Sequence, residues 1–277
     1  MMRFINFMSE AEDDREHKKA LSEAKFLEIL RTRCKNSHVI ATKVPFFKKD
    51  KGAEMMLVTP ELKEERSAFW IDKLIQEYPA WKKFPSRSCC IKGYNSFERM
   101  DGSDDAYVVI PLDGARIVLA KGSSFYRSFE DLKSSLDIEK CDNAALTEWL
   151  MDVFKLIGSL SGEEIKATEP KTYSQFKKAL DQLDEVISSK RLDLKKKLLN
   201  SDMSLKQNKR IKDILGRHVT DMLNYIGEKI DPESNGFSCG KIESFSRTAG
   251  DYEVWIDSPC LLIKRTKYIE LHKLGAI

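Results

Sequence analysis

The chain has 277 residues, of which 42% are apolar and 33% are charged, and its formal net charge at pH 7 is +3. This length can bury the core of one elaborated domain or of two smaller ones. The sequence contains no run of about 18 apolar residues, which excludes a transmembrane helix. The net charge is too small to indicate nucleic-acid binding by itself.

Neither the N-terminus nor the cysteines indicate secretion. The apolar segment at 1–8 is too short for a signal peptide, and four acidic residues follow it within 10–14. The six cysteines form no Cys-x-x-Cys pair, and the four histidines are scattered. The pattern therefore predicts reduced thiols in an intracellular compartment and no zinc site.

The first half of the chain predicts alternating helices and strands. Apolar residues at helical spacing predict a helix over 14–34, and a β-branched, aromatic run predicts a strand over 38–47 that ends near Pro45. There follow a polar loop at 48–54, a helix at 61–78, a turn at 79–85 and a short strand within 84–95. Two apolar runs at 106–111 and 115–120 flank Leu112-Asp113-Gly114 and predict a β-hairpin.

The second half is mainly helical before strands return. Helices are predicted at 126–136 and 144–160, and the segment 171–230 is predicted to form a helical hairpin. Strands are predicted at 237–245, 253–256 and 261–263. The order of these elements predicts an α+β fold, in which a mixed β core has flanking helices and an all-helical insertion or appendage.

A pair of carboxylates near the C-terminus is the first candidate for chemistry. Asp251 and Glu253 stand two residues apart at the head of the apolar run Val254-Trp255-Ile256. Residues i and i+2 of a strand point to the same face, so both acids should project together while Val254 and Ile256 face the other side. A solvated strand edge would produce the same pattern.

Three further stretches stand in the same order as the motifs of one enzyme class. Val44-Pro45-Phe46-Phe47-Lys48 ends the first strand, Pro85-Ser86-Arg87-Ser88-Cys89-Cys90 precedes the second, and the run at 105–114 ends in Pro-Leu-Asp-Gly. Together with Asp251-Tyr252-Glu253, they resemble the Arg–Ser–Glu class of mono-ADP-ribosyltransferases, in the form that large tailed bacteriophages encode. The resemblance covers about residues 20–135 and 236–270.

The resemblance implies a site for NAD. Glu253 would be the catalytic acid that binds the ribose hydroxyl, and Asp251 would orient the acceptor. Ser88, or alternatively Cys90, would support Glu253. Arg87 or Lys48 would hold a phosphate, although an arginine in that position can also form a surface salt bridge.

The motifs also depart from the family pattern. The arginine that the family carries on its first strand is absent, and Lys48 is the nearest cation. A lysine attracts phosphate but cannot reproduce the bidentate geometry of a guanidinium group. We therefore expect transfer of ADP-ribose to be weak or absent.

The N-terminal segment carries a second resemblance. Phe4-Ile5-Asn6-Phe7-Met8-Ser9-Glu10-Ala11 is similar to the opening of internal head proteins of large tailed phages. In those proteins the segment directs packaging into the capsid and is cut after a hydrophobic-x-Glu triplet, which here would be Met8-Ser9-Glu10. The alternative is an amphipathic helix that docks on the domain.

A basic stretch lies within the predicted helical segment. Between Lys190 and Arg217 the chain has ten cationic and three anionic side chains, a local net charge of +7. No aromatic residue lies between the cations, so stacking on single-stranded bases is not indicated. The stretch predicts either a solvated helix face or a surface for a host protein or nucleic acid. The candidate contact residues are Lys195, Lys196, Lys197, Lys209 and Arg210.

These patterns leave three functions open. The first is a phage ADP-ribosyltransferase-like protein of the host cytoplasm, which acts on host macromolecules or binds NAD or ADP-ribose. The second is a non-enzymatic counter-defence protein that neutralises a host factor, for example an ADP-ribosylating toxin. The third is an internal head protein packaged in the virion. None of the three calls for a metal or a membrane partner.

The expected division of the chain follows the same patterns. It comprises an N-terminal segment at 1–15, an α+β domain formed by 16–165 and 233–277, and a helical insertion at 166–232.

Overall fold

The computed structural model describes residues 16–60, 70–100, 105–121, 125–162, 165, 168–200, 212, 214–215, 221–245 and 252–277. These residues form a mixture of helices and one antiparallel sheet, which confirms the α+β class. They fall into two compact units. The first lies within Met1–Arg66, Pro85–Leu119 and Cys239–Ile277, and the second within Ser67–Phe84 and Ala120–Ser238. The second unit thus begins earlier than the predicted insertion at 166–232.

The regular elements have the following bounds. The strands are β1 (Glu16–Ala20), β2 (Phe46–Lys49), β3 (Met55–Pro60), β4 (Ile91–Tyr94), β5 (Ala106–Pro111), β6 (Arg116–Lys121), β7 (Ser238–Lys241), β8 (Tyr252–Ile256) and β9 (Cys260–Lys264). The α-helices are α1 (Glu23–Arg33), α2 (Lys35–Lys43), α3 (Trp70–Glu77), α4 (Glu130–Leu136), α5 (Asn143–Ser161), α6 (Tyr173–Leu199), α7 (Met222–Lys229) and α8 (Arg265–Lys273). In the described ranges, no helix is both long and apolar enough to cross a bilayer.

The sheet has the strand order β1-β3-β9-β5-β2-β4-β8-β6-β7 among the described residues. β1 and β7 are its edges, and β8 lies inside it between β4 and β6. Each pairing that joins β1 to β8 across this order is antiparallel. Directly opposed residues of antiparallel strands share a face, so these registers assign the residues of β1–β5, β8 and β9 to one side of the sheet or the other.

Each face of the sheet carries its own hydrophobic core. On one face, which we call the α1 face, Phe47 and Val108 pack with residues of α1 and α8 such as Phe26 and Leu271. On the opposite face lie Phe46, Val109, Val254, Ile256 and Leu262. Because both faces are covered, β5 and the first four residues of β9 are apolar and buried, as expected for strands covered on both sides.

The first half of the predicted strand at 38–47 is a helix, which corrects that expectation. α2 extends to Lys43, and the strand begins only at Phe46, directly after Pro45. The α2 N-terminus has no side-chain cap of its own. The carboxylate of Asp113 supplies one, because it accepts hydrogen bonds from the backbone N–H groups of Asn36 and Ser37 at 3.0 and 2.8 Å. A residue distant in sequence thus satisfies two N–H groups at the start of a helix formed by a β-prone run.

The turn of the predicted hairpin at 106–120 is present, but the two strands on either side of it do not pair with each other. β2, β4 and β8 separate β5 from β6 in the sheet. β5 is instead bonded to β2 and β9 on its two sides. The turn itself is held in place from outside, since Asp113 caps α2 and the Gly114 N–H donates to Glu243. Gly114 has φ +81°, a conformation that favours glycine.

Two strands of the sheet were not predicted. β1 lies within the predicted helix at 14–34 and is bonded along its length to β3, which was also unassigned. β1 carries charged residues typical of a sheet edge.

One glycine inside the sheet is required by close packing: a Cβ on Gly93 of β4 would lie 2.7 Å from the Phe47 carbonyl oxygen.

The second unit is built on α5 and α6. Asp142 caps α5 and Thr172 caps α6 through their side chains, and the buried residues of both helices recur at the predicted helical spacing. α7 packs on α6, where the Met222 N–H donates to Asp184. Five buried aromatic rings form a cluster in this unit: Trp81, Phe84, Phe125, Phe129 and Phe237.

Candidate functional site

Glu253 lies on an interior strand, as predicted. Its strand, β8, is bonded to β4 with Tyr94 directly opposite Glu253. Val254 and Ile256 belong to the opposite core, so the predicted alternation of faces along this strand is confirmed. The environment differs from a solvated edge, because Glu253 is only 3% exposed.

Glu253 is held in a buried polar cluster with Arg87 and Trp255. The Arg87 Nε donates to Glu253 Oε1 at 2.9 Å, and the Trp255 Nε1 donates to the same oxygen at 2.8 Å. The side chains of Arg87 and Glu253 are 12% and 3% exposed. The guanidinium also stands 5.9 Å from the centre of the Trp255 ring, within range of a cation–π contact.

Local structure explains how these three groups meet. Arg87 lies in a single 3₁₀ turn at Arg87–Cys89, immediately before β4, and β4 pairs with β8. Trp255 is two residues from Glu253 on the same strand, so both side chains leave the same face. The sequence places Arg87 beside a strand, but only the β4–β8 pairing shows which carboxylate it reaches.

The two candidates for the serine position differ in environment. Ser88 is partly exposed, and its Oγ lies 2.7 Å from the Oγ of Ser86 on the same turn as Arg87. Cys90 is buried, and burial raises the pKa of its thiol to about 12, with a smaller contribution from Asp257. Cys90 is therefore a neutral thiol, and Ser86 and Ser88 are the hydroxyl groups closest in sequence to Arg87.

Two residues near Glu253 were missed in the sequence. Tyr94 is directly opposite Glu253, and Lys92 is directly opposite Trp255; both are half-buried. They share the face of Glu253 because opposed residues in an antiparallel pair point the same way. The i, i+2 spacing of Lys92 and Tyr94 in β4 was the available signal, although it gives no indication of the partner strand.

Lys48 is not brought together with Glu253. Phe47, Tyr94 and Glu253 are opposed in register across β2, β4 and β8, so Phe47 shares the face of Glu253. Lys48 follows Phe47 and therefore projects from the opposite face. Its Nζ is 3.9 Å from Asp50 Oδ2, and Lys18 is also 2.5 Å from this buried carboxylate. Lys48 thus belongs to a separate cluster with Asp50 and Lys18.

Other predicted features lie outside the described residues. They are Asp251, Lys209, Arg210, the segment 1–15 with the triplet Met8-Ser9-Glu10, and most of the second half of the basic stretch.

The three candidate contact lysines that the structure describes, Lys195, Lys196 and Lys197, fall into two groups. Lys197 is engaged, because its Nζ is 3.0 Å from Asp193 and 3.3 Å from the Ser161 carbonyl oxygen. Lys195 is half-buried and Lys196 is exposed. Neither of these two forms an ion pair within the described part of the chain.

The thiols and metal-binding side chains offer little for catalysis in the described ranges. All six cysteines are free, and burial raises the pKa of Cys34, Cys90 and Cys141 to about 12. These thiols are protonated at neutral pH and therefore poor nucleophiles. No group of three His, Cys, Asp or Glu residues that could hold a metal ion occurs among the described residues.

Comparison with known proteins gives no family for this chain. It matches no protein-family model, no curated protein and no solved structure. Its function must therefore be inferred from the residues themselves, above all from the cluster around Glu253.

Proposed function

We propose that this chain binds NAD or ADP-ribose at the cluster of Arg87, Glu253 and Trp255, as an ADP-ribosyltransferase-like phage protein with weak or no transfer activity. The observation that carries the proposal is the buried ion pair between Arg87 and Glu253. A buried ion pair contributes little net stability compared with apolar residues of the same volume, because both charges lose their hydration. A buried charge pair that adds little net stability is a candidate for a functional role.

The residues around this pair suit the parts of the ligand. The Glu253 carboxylate can accept hydrogen bonds from the hydroxyl groups of a ribose. Arg87 and Lys92 supply positive charge for a diphosphate. Tyr94 offers an aromatic ring on the same face for a planar base. When bound, NAD would supply the reactive glycosidic bond, and the carboxylate would stabilise positive charge on the ribose as nicotinamide leaves.

Two features argue that transfer is slow. The Glu253 Oε1 already accepts hydrogen bonds from Arg87 and Trp255, so a ribose hydroxyl that binds this oxygen competes with both N–H groups. Lys48, the substitute for the missing first-strand arginine, lies on the opposite face of the sheet. If the protein is active, it is an NAD-dependent mono-ADP-ribosyltransferase that acts on a host macromolecule.

Isothermal titration with NAD and with ADP-ribose tests the binding site. We expect wild type to bind at least one of the two ligands, and Glu253→Gln to bind it at least about tenfold more weakly, a loss of about 1.4 kcal/mol. Asp257→Asn is the matched control, because Asp257 also accepts a hydrogen bond from an arginine but is partly exposed. Absence of binding to wild type, or equal losses in both variants, would overturn the proposal.

A second candidate function is non-enzymatic binding of a host protein, as a counter-defence factor would require. The observation in its favour is that Lys195 and Lys196 lie outside any ion pair in the described part of the chain. An interface of exposed charges should weaken steeply with salt, because such charges are screened over about 8–10 Å. A role as a packaged head protein rests on the N-terminal segment alone.

Pull-downs from infected or host cells test this second function. Reversal of Lys195, Lys196, Lys197, Lys209 and Arg210 to Glu should abolish partner capture and leave the thermal melt nearly unchanged. Recovery of the same partners by the reversed protein would show that these lysines only form a solvated face.

A further inference from the structure

The Glu253 carboxylate is already neutralised where it lies. Its Oε1 accepts hydrogen bonds from the Arg87 Nε at 2.9 Å and from the Trp255 Nε1 at 2.8 Å. The side chains of Glu253 and Arg87 are 3% and 12% exposed, so water screens their charges only weakly. A positive charge that approaches Glu253 therefore meets the guanidinium group as well as the carboxylate, and the two effects oppose each other.

A second cation stands on the same face of the sheet. Among the described residues, β4 and β8 present Lys92, Tyr94, Glu253 and Trp255 on this face. Lys92 is directly opposite Trp255, next to the pairing of Tyr94 with Glu253. Together with Arg87, the described part of this face thus places two cations and one carboxylate close together.

The indole ring of Trp255 is also matched to a cation. The centre of the ring is 5.9 Å from the Arg87 guanidinium, and the residue is only 1% exposed. The face of an aromatic ring attracts positive charge, so a cationic ligand would compete with Arg87 for this ring. Two groups that attract cations, the carboxylate and the indole, are therefore engaged by one guanidinium group.

This charge pattern distinguishes NAD from ADP-ribose. Both ligands carry a diphosphate, which Arg87 and Lys92 attract. In the oxidised form of NAD, the terminal ribose also bears a positively charged nicotinamide ring, and a ribose bound to Glu253 would bring that ring close to the same two cations. ADP-ribose has a hydroxyl group in place of the ring, so it gains the attraction without the repulsion.

We propose that the ligand of this site is an ADP-ribose group without the cationic nicotinamide ring, and that oxidised NAD is the weaker ligand. This preference rests on the proposed function and deepens it, because it names the class of ligand that the same site selects. It agrees with weak transfer, since the cationic ring is the leaving group of that reaction.

Isothermal titration of the full-length chain with a matched pair of dinucleotides tests the role of charge. NADH has the same diphosphate and riboses as NAD, but its nicotinamide ring is uncharged. We expect NADH and ADP-ribose each to bind at least about fivefold more tightly than NAD, a factor that one charge–charge interaction at contact distance supplies even in water. Raising the salt concentration from about 50 mM to about 500 mM should reduce this preference.

Lys92→Gln is the matched variant. ADP-ribose and NADH lose an attraction in this variant, whereas NAD also loses a repulsion, so the preference should fall at least about twofold. Lys19→Gln is the control, because the exposed Lys19 of β1 is five strands from β4, about 24 Å at the usual spacing of strands. It should leave the preference unchanged, since charges at that distance are screened.

Free ADP-ribose and an ADP-ribosylated protein offer the same group, and a peptide separates these sources. The peptide carries ADP-ribose on a serine, through the ribose carbon that bears nicotinamide in NAD, and the unmodified peptide is its control. Binding of the modified peptide within about tenfold of free ADP-ribose would identify modified protein as the source. Weaker binding would identify free ADP-ribose.

Three outcomes count against the proposals, and they are distinguishable. If none of the three small ligands binds, the proposed function fails together with this preference. If NAD binds as tightly as NADH and ADP-ribose, the preference is overturned and the binding site stands. If the preference is the same at high salt and in Lys92→Gln, charge does not cause it and the inference is overturned.

Discussion

Arg87 and Glu253 are 166 positions apart in the chain, yet their side chains form a buried ion pair with 2.9 Å between Nε and Oε1. The pair exists because the turn that carries Arg87 leads into β4, and β4 is bonded to β8. Trp255 completes the arrangement by donating to the same carboxylate oxygen. The fold thereby removes two opposite charges from water. Each charge is then stabilised largely by the other, so the loss of either partner is costly.

We expect Arg87→Met to be strongly destabilising. It removes the charge partner of a carboxylate that is 3% exposed, and breaking a buried pair from one side costs about 3–5 kcal/mol. Arg87→Met combined with Glu253→Gln should be more stable than Arg87→Met alone, because no unpaired buried charge is left. Urea denaturation of wild type and these two variants measures the differences.

The control for this cycle is Arg116→Met. Arg116 donates to Asp257 at 2.8 Å, but the two side chains are 49% and 20% exposed. Its loss should cost no more than about 1 kcal/mol. Equal costs for Arg87→Met and Arg116→Met would show that burial does not control the strength of the first pair.

Asp184 is predicted to make stability depend on pH. Burial raises its pKa to about 6, despite the backbone N–H that Met222 donates to it. The unfolded value is about 3.9, so the folded state binds more protons between pH 4 and 6. The contribution of Asp184 to the free energy of unfolding therefore falls as pH rises through this window.

Asp184→Asn should remove this pH dependence, because the amide stays neutral and its oxygen can still accept from Met222. At pH 7 to 8 the variant should be more stable than wild type by on the order of 1 kcal/mol, since partial exposure reduces the effect. Thermal melts between pH 4 and 8 provide the measurement, with Glu185→Gln, at an exposed position of α6, as the control. Parallel curves for wild type and Asp184→Asn would contradict the prediction.

Gly93→Ala should disrupt the junction between β2 and β4. The new Cβ would lie 2.7 Å from the Phe47 carbonyl oxygen, and backbone cannot yield as a side chain can. We expect a loss of about 1–3 kcal/mol in the free energy of unfolding, as for other overpacked sites. In Gly52→Ala the nearest atoms belong to the flexible end of Met56, so this control should lose less.

Transfer of ADP-ribose is predicted to be weak or undetectable. A missing charge-assisted interaction of the first-strand arginine costs about 1.5–3 kcal/mol, and the Glu253 carboxylate is already engaged by Arg87. Incubation of radiolabelled NAD with host lysate and wild-type protein or Glu253→Gln measures the activity. Robust labelling that depends on Glu253 would show that another cation takes the role expected of Lys48.

The sequence by itself determined which face many residues take. Period-two alternation placed Glu253 opposite to Val254 and Ile256, and helical spacing identified the buried sides of α5 and α6. Both patterns are local, since they follow from the geometry of a single strand or helix and from which side chains must leave water.

Only the tertiary structure decided which elements meet. Asp113 caps α2 within a β-prone run, β5 pairs with β2 and β9 in place of β6, and Lys48 faces away from Glu253. The residue that Glu253 binds, Arg87, likewise follows from strand pairing. A backbone N–H or a buried charge is satisfied by whichever group the whole fold brings near it, and that choice depends on residues far away in the chain.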